Sequence, residues 1–148
     1  MSDTAQVARD ELQVIRTINQ LFLGTDKREW AQVKQLFSSE VLFDMSSMTG
    51  GSPTTMNPQQ IVDGWDAGLR GLSAIHHQSG NFIVDVTDLS ATASCYGIAI
   101  HYLPNPSNEN TRTFVGSYDF GLVRVGQEWK INKFRFTLKF IDGNRELK

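Results

Sequence analysis

The sequence predicts an α+β fold, a cone-like curled antiparallel β-sheet with three N-terminal helices closing a pocket on its concave side. Three observations carry that expectation. Apolar residues recur at helical spacing only in the first half of the chain. From Ser73 onward the pattern changes to runs rich in β-branched and aromatic residues, punctuated by turn signals. Strands as long as these runs must twist and curl, so the sheet they build encloses a hollow rather than forming a flat layer.

The first helix is expected from Thr4 to Gly24, with Val7, Leu12, Ile15, Ile18 and Phe22 on one face. Arg9, Asp10, Gln13, Arg16 and Gln20 fall mostly on the other, and Gly24 reads as the stop. A second helix runs from Lys27 or Arg28 to Phe37, with Asp26 available as N-cap and Trp30, Val33, Leu36 and Phe37 as its buried face. Val41 to Asp44 reads as a short strand. Met45 to Asn57, without a charged residue, is a loop or flap that either lies against something apolar or is a plain surface connection. Pro58 opens a third helix to about Leu72, stacking Ile61, Trp65, Leu69 and Leu72. Four long strands follow: Ile75 to Val86, Ala91 to Leu103, Thr113 to Val125 and Glu128 to Phe140. Gly126-Gln127 marks a tight hairpin, and Pro104 to Asn110 a longer polar one.

Composition narrows the function classes. A chain of 148 residues, 40% hydrophobic and 20% charged, is expected to form a single domain over 1–148 with a real core. Fourteen Lys plus Arg against sixteen Asp plus Glu, a net charge of −2, argues against a nucleic-acid partner. No apolar run reaches the length of a membrane span and no basic-then-apolar leader opens the chain, so a soluble cytoplasmic protein is expected. The lone Cys95 can form neither an internal disulfide nor a Cys-based zinc site.

The Ala91 to Tyr102 strand is the most informative. One face carries Ala93, Cys95, Gly97, Ala99 and His101; the other carries Ser94, Tyr96, Ile98, Ile100 and Tyr102. With the small face inward, empty volume ends in an imidazole, and the bulky outer face calls for a cover, which predicts a homodimer through the sheet. The reverse assignment would put the bulky face in the core. In the last strand Lys130, Asn132, Phe134, Phe136, Leu138 and Phe140 are expected to face the helices or the dimer partner. Thr113 to Val125 is partly apolar on both faces, as a central strand is, and its Asp119 needs a partner if buried.

Only three histidines are present, His76, His77 and His101. On antiparallel neighbours, His101 can approach the start of the earlier strand, where only one of His76 and His77 shares its face. An imidazole near neutrality moves protons, and a carboxylate bonded to it fixes its tautomer. Asp26 is the first candidate for that carboxylate and Asp44 the second. The spacing offers no H-x-H or H-x-x-x-H metal pattern, no Gly-rich phosphate loop and no G-x-S-x-G elbow. Cys95 reads as a small core residue.

These features, taken in order, resemble a known family. A helix, D-x-x-x-W (Asp26 to Trp30), helix, strand, flap, helix, H-x-x-x-N (His77 to Asn81) and four long strands are similar to the nuclear transport factor 2-like superfamily. Within it the chain looks most like the SnoaL-like group and scytalone dehydratase, over about Val7 to Phe140. The resemblance implies a catalytic group on Asp26, His77 and His101, the same three residues nominated above. Thr25 stands where the dehydratase has a Tyr, so the carbonyl-polarising group differs. Ketosteroid isomerase-like chemistry matches less well, for want of its Tyr and Asp pair. The expected activity is a cofactor-independent lyase or isomerase acting on a hydroxylated cyclic or aromatic carbonyl compound. His101 oriented by Asp26 is the expected base, His77 the assisting acid or donor, and Met48, Trp65, Tyr118 and Phe136 the apolar lining. The alternatives are a non-catalytic domain of the same shape that binds a small ligand or a protein, and a structural subunit of a larger oxygenase.

Overall fold

The computed structural model describes residues 3–147. Helix α1 spans Thr4–Asp26 and is capped by Asp3, whose carboxylate accepts from the Ala5 amide. It runs past Gly24 for a packing reason. A Cβ at Gly24 would lie 2.8 Å from Val33 Cγ2, so glycine here admits the next helix, α2 (Trp30–Lys34), against α1. Arg28, left-handed at φ 57°, reverses the chain between them. α2 is therefore shorter than expected at both ends: Asp26 ends α1 and Glu29 stands at the N-cap instead, while Phe37 already belongs to strand β1 (Phe37–Asp44).

The buried face of α1 also differs from the apolar count. Leu12 is 68% exposed, whereas Asp10, Thr17 and Thr25 are buried beside Val14, Ile18, Leu21 and Phe22. Thr17 and Thr25 return their hydroxyls to the carbonyls of Gln13 and Leu21, so they pack as small apolar groups. Asp10 is held at 3.1 Å by Arg124.

The uncharged segment after β1 is structured. It contains one helical turn, α3 (Ser46–Thr49), and an edge strand, β2 (Thr54–Met56), antiparallel to β1. Helix α4 (Pro58–Leu69) opens with a full capping box between Asn57 and Gln60. It stops short of Leu72, and the carbonyls of Leu69 and Leu72 accept from the Arg28 guanidinium.

Strands β3 (Ala74–Thr87), β4 (Ser90–Tyr102), β5 (Thr111–Val125) and β6 (Glu128–Gly143) complete a sheet of order β2-β1-β6-β5-β4-β3. All pairings are antiparallel except β1 with β6. The sheet is curled and unclosed, and α1, α2 and α4 pack on its concave side around Ile18, Leu21, Val33, Ile61, Leu122 and Ile131.

On β4 the small face points inward and Tyr96, Ile98 and Tyr102 are exposed outside. Part of the space above the small residues is already filled. A Cβ on Gly97 would lie 2.2 Å from the Tyr118 ring, which lies directly over that glycine. On β6 the inward phase changes twice, and the first change lies between Trp129 and Ile131, which are buried, and Phe134 and Phe136, which are buried next. The irregularity opposite Gly121/Leu122 absorbs one residue and switches the faces. A second irregularity, opposite Val115/Gly116, takes up Lys139 and switches the faces again, which puts Phe140 on the outer face, 54% exposed. Asp119, on central strand β5, is partly exposed and meets Arg135 at 3.0 Å.

Candidate active site

The antiparallel register of β3 and β4 places His77 opposite Ala99 and His101 opposite Ile75. His77 and His101 are thus diagonal neighbours on the concave face, a relation that spans roughly 7–8 Å. His76 points away, exposed, near Gln78.

Asp26, at the last turn of α1, grips His77 twice. Oδ1 accepts from the ring Nδ1 at 2.6 Å, and Oδ2 accepts from the His77 backbone amide at 2.9 Å. The imidazole also stacks on Phe22, with centroids 5.4 Å apart. With its proton on Nδ1 facing the carboxylate, neutral His77 presents the Nε2 lone pair on its far side. This is a proton acceptor of fixed orientation.

His101 is held differently. Arg112, opposite it on β5, donates from Nη2 to His101 Nδ1 at 2.9 Å. Burial first, then the positive charge of Arg112, pushes the His101 pKa down to about 4. The sequence-based pairing of Asp26 with His101 is therefore corrected: the carboxylate belongs to His77, and His101 is partnered by a guanidinium. Asp44, the second candidate, accepts from the Ser46 amide and hydroxyl at 2.9 and 2.6 Å, and those bonds lower its pKa. It organises α3 and does not reach the histidines.

Both imidazoles line a cavity of about 240 Å³ between the helices and the sheet. Met48, Trp65, Tyr118 and Phe136, the expected apolar lining, all border it. Phe22, Met45, Phe114 and Phe134 border it as well; the sequence puts Phe22 on an apolar helix face and Phe134 toward the helices or a partner, and names none of the four as lining. The β-hairpin register could have found Phe114, since it faces Ala99 across β4 and β5. Met45 carried no comparable signal. From α4, Gly64 and Gly68 turn toward the hollow, and a Cβ on either would meet nothing within 4 Å. The expectation that small residues on β4 open the cavity holds for Ala99 only, because Tyr118 takes the room above Gly97.

Thr25 also borders the cavity, but its hydroxyl is committed to the Leu21 carbonyl. Burial pushes the Tyr118 phenol well above its usual range, so it stays protonated. Burial likewise raises the Cys95 thiol to about 12, which removes it as a thiolate nucleophile near neutrality. Among the described residues no group of three or more His, Cys, Asp or Glu side chains is arranged to hold a metal ion. No helix among them is long and apolar enough to cross a membrane.

Comparison with known proteins gives a family and a fold. The profile of the SnoaL-like domain matches residues 6–135. No curated protein matches the chain. Among solved structures it is similar to the Kfla4162 protein from Kribbella flavida, at 22% identity and a TM-score of 0.87, over 91% of this chain and 94% of that one. A candidate scytalone dehydratase from Novosphingobium aromaticivorans shows 18% identity and a TM-score of 0.76, over 98% and 93%. Hexachlorocyclohexane dehydrochlorinase LinA-type3 from Novosphingobium barchaimii shows 12% identity and a TM-score of 0.77, over 95% and 93%. At these identities the likeness to solved structures shows the fold.

Proposed function

The chain belongs to the SnoaL-like domain family, and on that footing we propose that it is a cofactor-independent lyase that removes water from a small cyclic β-hydroxy carbonyl compound. The observation that carries the reading is the Asp26–His77 pair, a carboxylate bonded to both the ring and the backbone of one imidazole at the wall of an apolar cavity. Two neighbours of the fold bear names of elimination enzymes, a dehydratase and a dehydrochlorinase. Both reactions begin at a C–H bond next to a carbon that loses its substituent.

In this reading His77 Nε2 takes the α-hydrogen as a proton, and Asp26 stabilises the imidazolium that forms. The C–H electron pair becomes the C=C bond of an enolate. His101 donates a hydrogen bond to the carbonyl oxygen as negative charge collects there. The C–O bond of the β-hydroxyl then breaks, and the departing oxygen takes the proton back from His77. The products are an enone and water, with both histidines restored and no net oxidation. The roles of the two histidines are thus exchanged relative to the sequence expectation. The cavity is slightly smaller than the ~300–1,000 Å³ typical of drug-sized sites, which suits one or two rings.

A β-hydroxy-α-tetralone tests this, because its dehydration product tautomerises to α-naphthol and is read by absorbance. The wild-type chain should release α-naphthol, and His77→Gln should lower kcat by about 10²- to 10⁴-fold with circular dichroism unchanged. Asp26→Asn should lower it in the same direction. Turnover persisting in both variants overturns the assignment. Binding of the tetralone without any turnover would instead favour the ligand-binding alternative. The same reading includes a homodimer through the outer face of the sheet, supported by the row Ile98, Val115 and Phe140, paired across β4, β5 and β6.

A further inference from the structure

Arg112 is absent from the cavity wall, yet it controls what one wall residue offers. A guanidinium has five N–H donors and no acceptor, and it keeps its proton throughout the working pH range. A nitrogen that lies 2.9 Å from Arg112 Nη2 must therefore present a lone pair, and that nitrogen is His101 Nδ1. The ring's only proton is then on Nε2. His77 is in the opposite state, since its Nδ1 faces a carboxylate and must carry the proton.

We propose that Arg112 is a positioning residue that locks His101 as the neutral Nε2–H tautomer, so that the cavity holds one fixed acceptor and one fixed donor and selects ligands with an acidic C–H beside an oxygen acceptor. Arg112 is itself braced. Its Nη1 donates to the carbonyl of Leu147 at 3.1 Å and, more weakly, to that of Arg145 at 3.4 Å. Its guanidinium carbon lies 5.4 Å from the centroid of Phe114, whose ring in turn lies 5.1 Å from that of His101. Leu147 is buried against Leu72 and Ile75, which fixes the segment supplying those carbonyls.

The charged and titratable groups facing His101 are Arg112 on β5, His77 on β3 and Asp26 at the end of α1. Arg112 and His77 oppose a positive imidazole, and Asp26 favours one more weakly. The lock therefore works in two ways: it selects which nitrogen holds the proton and it discourages a second proton. Neutral imidazole is a weaker acid than imidazolium, so His101 can lend a hydrogen bond to an oxyanion without losing the proton to it. The role in turnover rests on the dehydratase reading above; the tautomer does not.

Nitrogen-15 labelling of the histidines separates the two. In the wild-type chain, long-range proton–nitrogen spectra should show His101 with a bare Nδ1 and a protonated Nε2 from about pH 5 to 8. Arg112→Met should yield a mixed or Nδ1–H tautomer and an upward shift of the His101 titration, whereas Arg112→Lys should restore the wild-type pattern in part. An unchanged Nδ1–H signal of His77 at Asp26 reports that the variants keep the site folded. With β-hydroxy-α-tetralone as probe, Arg112→Met should lower kcat by about 10²-fold while KM changes little. An Nδ1–H tautomer in the wild-type chain, a charged His101 at pH 6, or a tautomer indifferent to Arg112→Met overturns the proposal. A wild-type chain that does not turn the tetralone over counts against the dehydratase reading, and the spectra still decide the role of Arg112.

Discussion

A half-buried imidazole that refuses a proton leaves a mark on stability. The unfolded chain protonates His101 at its ordinary value of 6.5, while in the folded chain it waits until about 4. Between those values the unfolded state holds the extra proton, so acidification favours unfolding and stability rises with pH across the window. His101→Gln, which still offers Arg112 an acceptor, should flatten that rise. Urea midpoints of both proteins at the two ends of the window measure it, and parallel losses would refute the assignment of the slope to His101. At this scale the sequence was legible where chemistry is scarce. With three histidines in the chain, strand alternation alone left one pair able to share a face. What stayed hidden was the partnering, because Asp26 and Arg112 each face a histidine across a distance in sequence. Arg112 could have been found from the Pro104 to Asn110 hairpin, which sets His101 opposite it.

Among the elements, two glycines of opposite consequence show how the cavity is shaped. Gly68 on α4 borders it, and an added Cβ would meet open space. Gly68→Ala should therefore stabilise the helix by about 0.5–1 kcal/mol and shrink the hollow slightly. Gly97 on β4 lies under the Tyr118 ring, which also packs 4.9 Å from both Phe22 and Phe136. Gly97→Ala should cost about 1–3 kcal/mol by displacing that ring. Thermal melts of the two variants should move in opposite directions, and a stabilising Gly97→Ala would show that Tyr118 shifts freely. Helices and strands were legible as elements because their periods differ, but the phase of α1 was not. Counting apolar side chains put Leu12 inward, whereas Thr17 and Thr25 satisfy their own hydroxyls within the helix and Asp10 borrows a cation from β5. The segment from Met45 to Asn57 misled for a related reason. Its strand β2 is three residues long, too short to show an alternation.

For the whole molecule, the outer face of the sheet sets the assembly expected. Tyr96 is 53% and Phe140 54% exposed, on the same side as Ile98, with the Lys139 ammonium 3.8 Å over the Tyr96 ring. Sedimentation velocity should find a dimer that Ile98→Lys dissociates without altering the helical and strand signals of the monomer. A wild-type monomer at all concentrations would remove the dimer from the reading. The α+β architecture was legible because helices precede long strands in the chain, but the strand order was not, since β1 joins β6 and that pairing spans nearly the whole domain. The parallel contact brings Lys130 to the carbonyl of Gln35, 95 residues earlier. On a ribosome the first strand must therefore wait, unpaired on that side, until the final hairpin emerges. Folding should be slow for a chain this size. Of the rings packed on Trp65, Phe37 and Phe43 precede it in the chain, and Phe134 arrives only at that last step. A newborn chain thus leaves one side of the Trp65 cluster uncovered until β6 is made, and chaperone demand should track that delay.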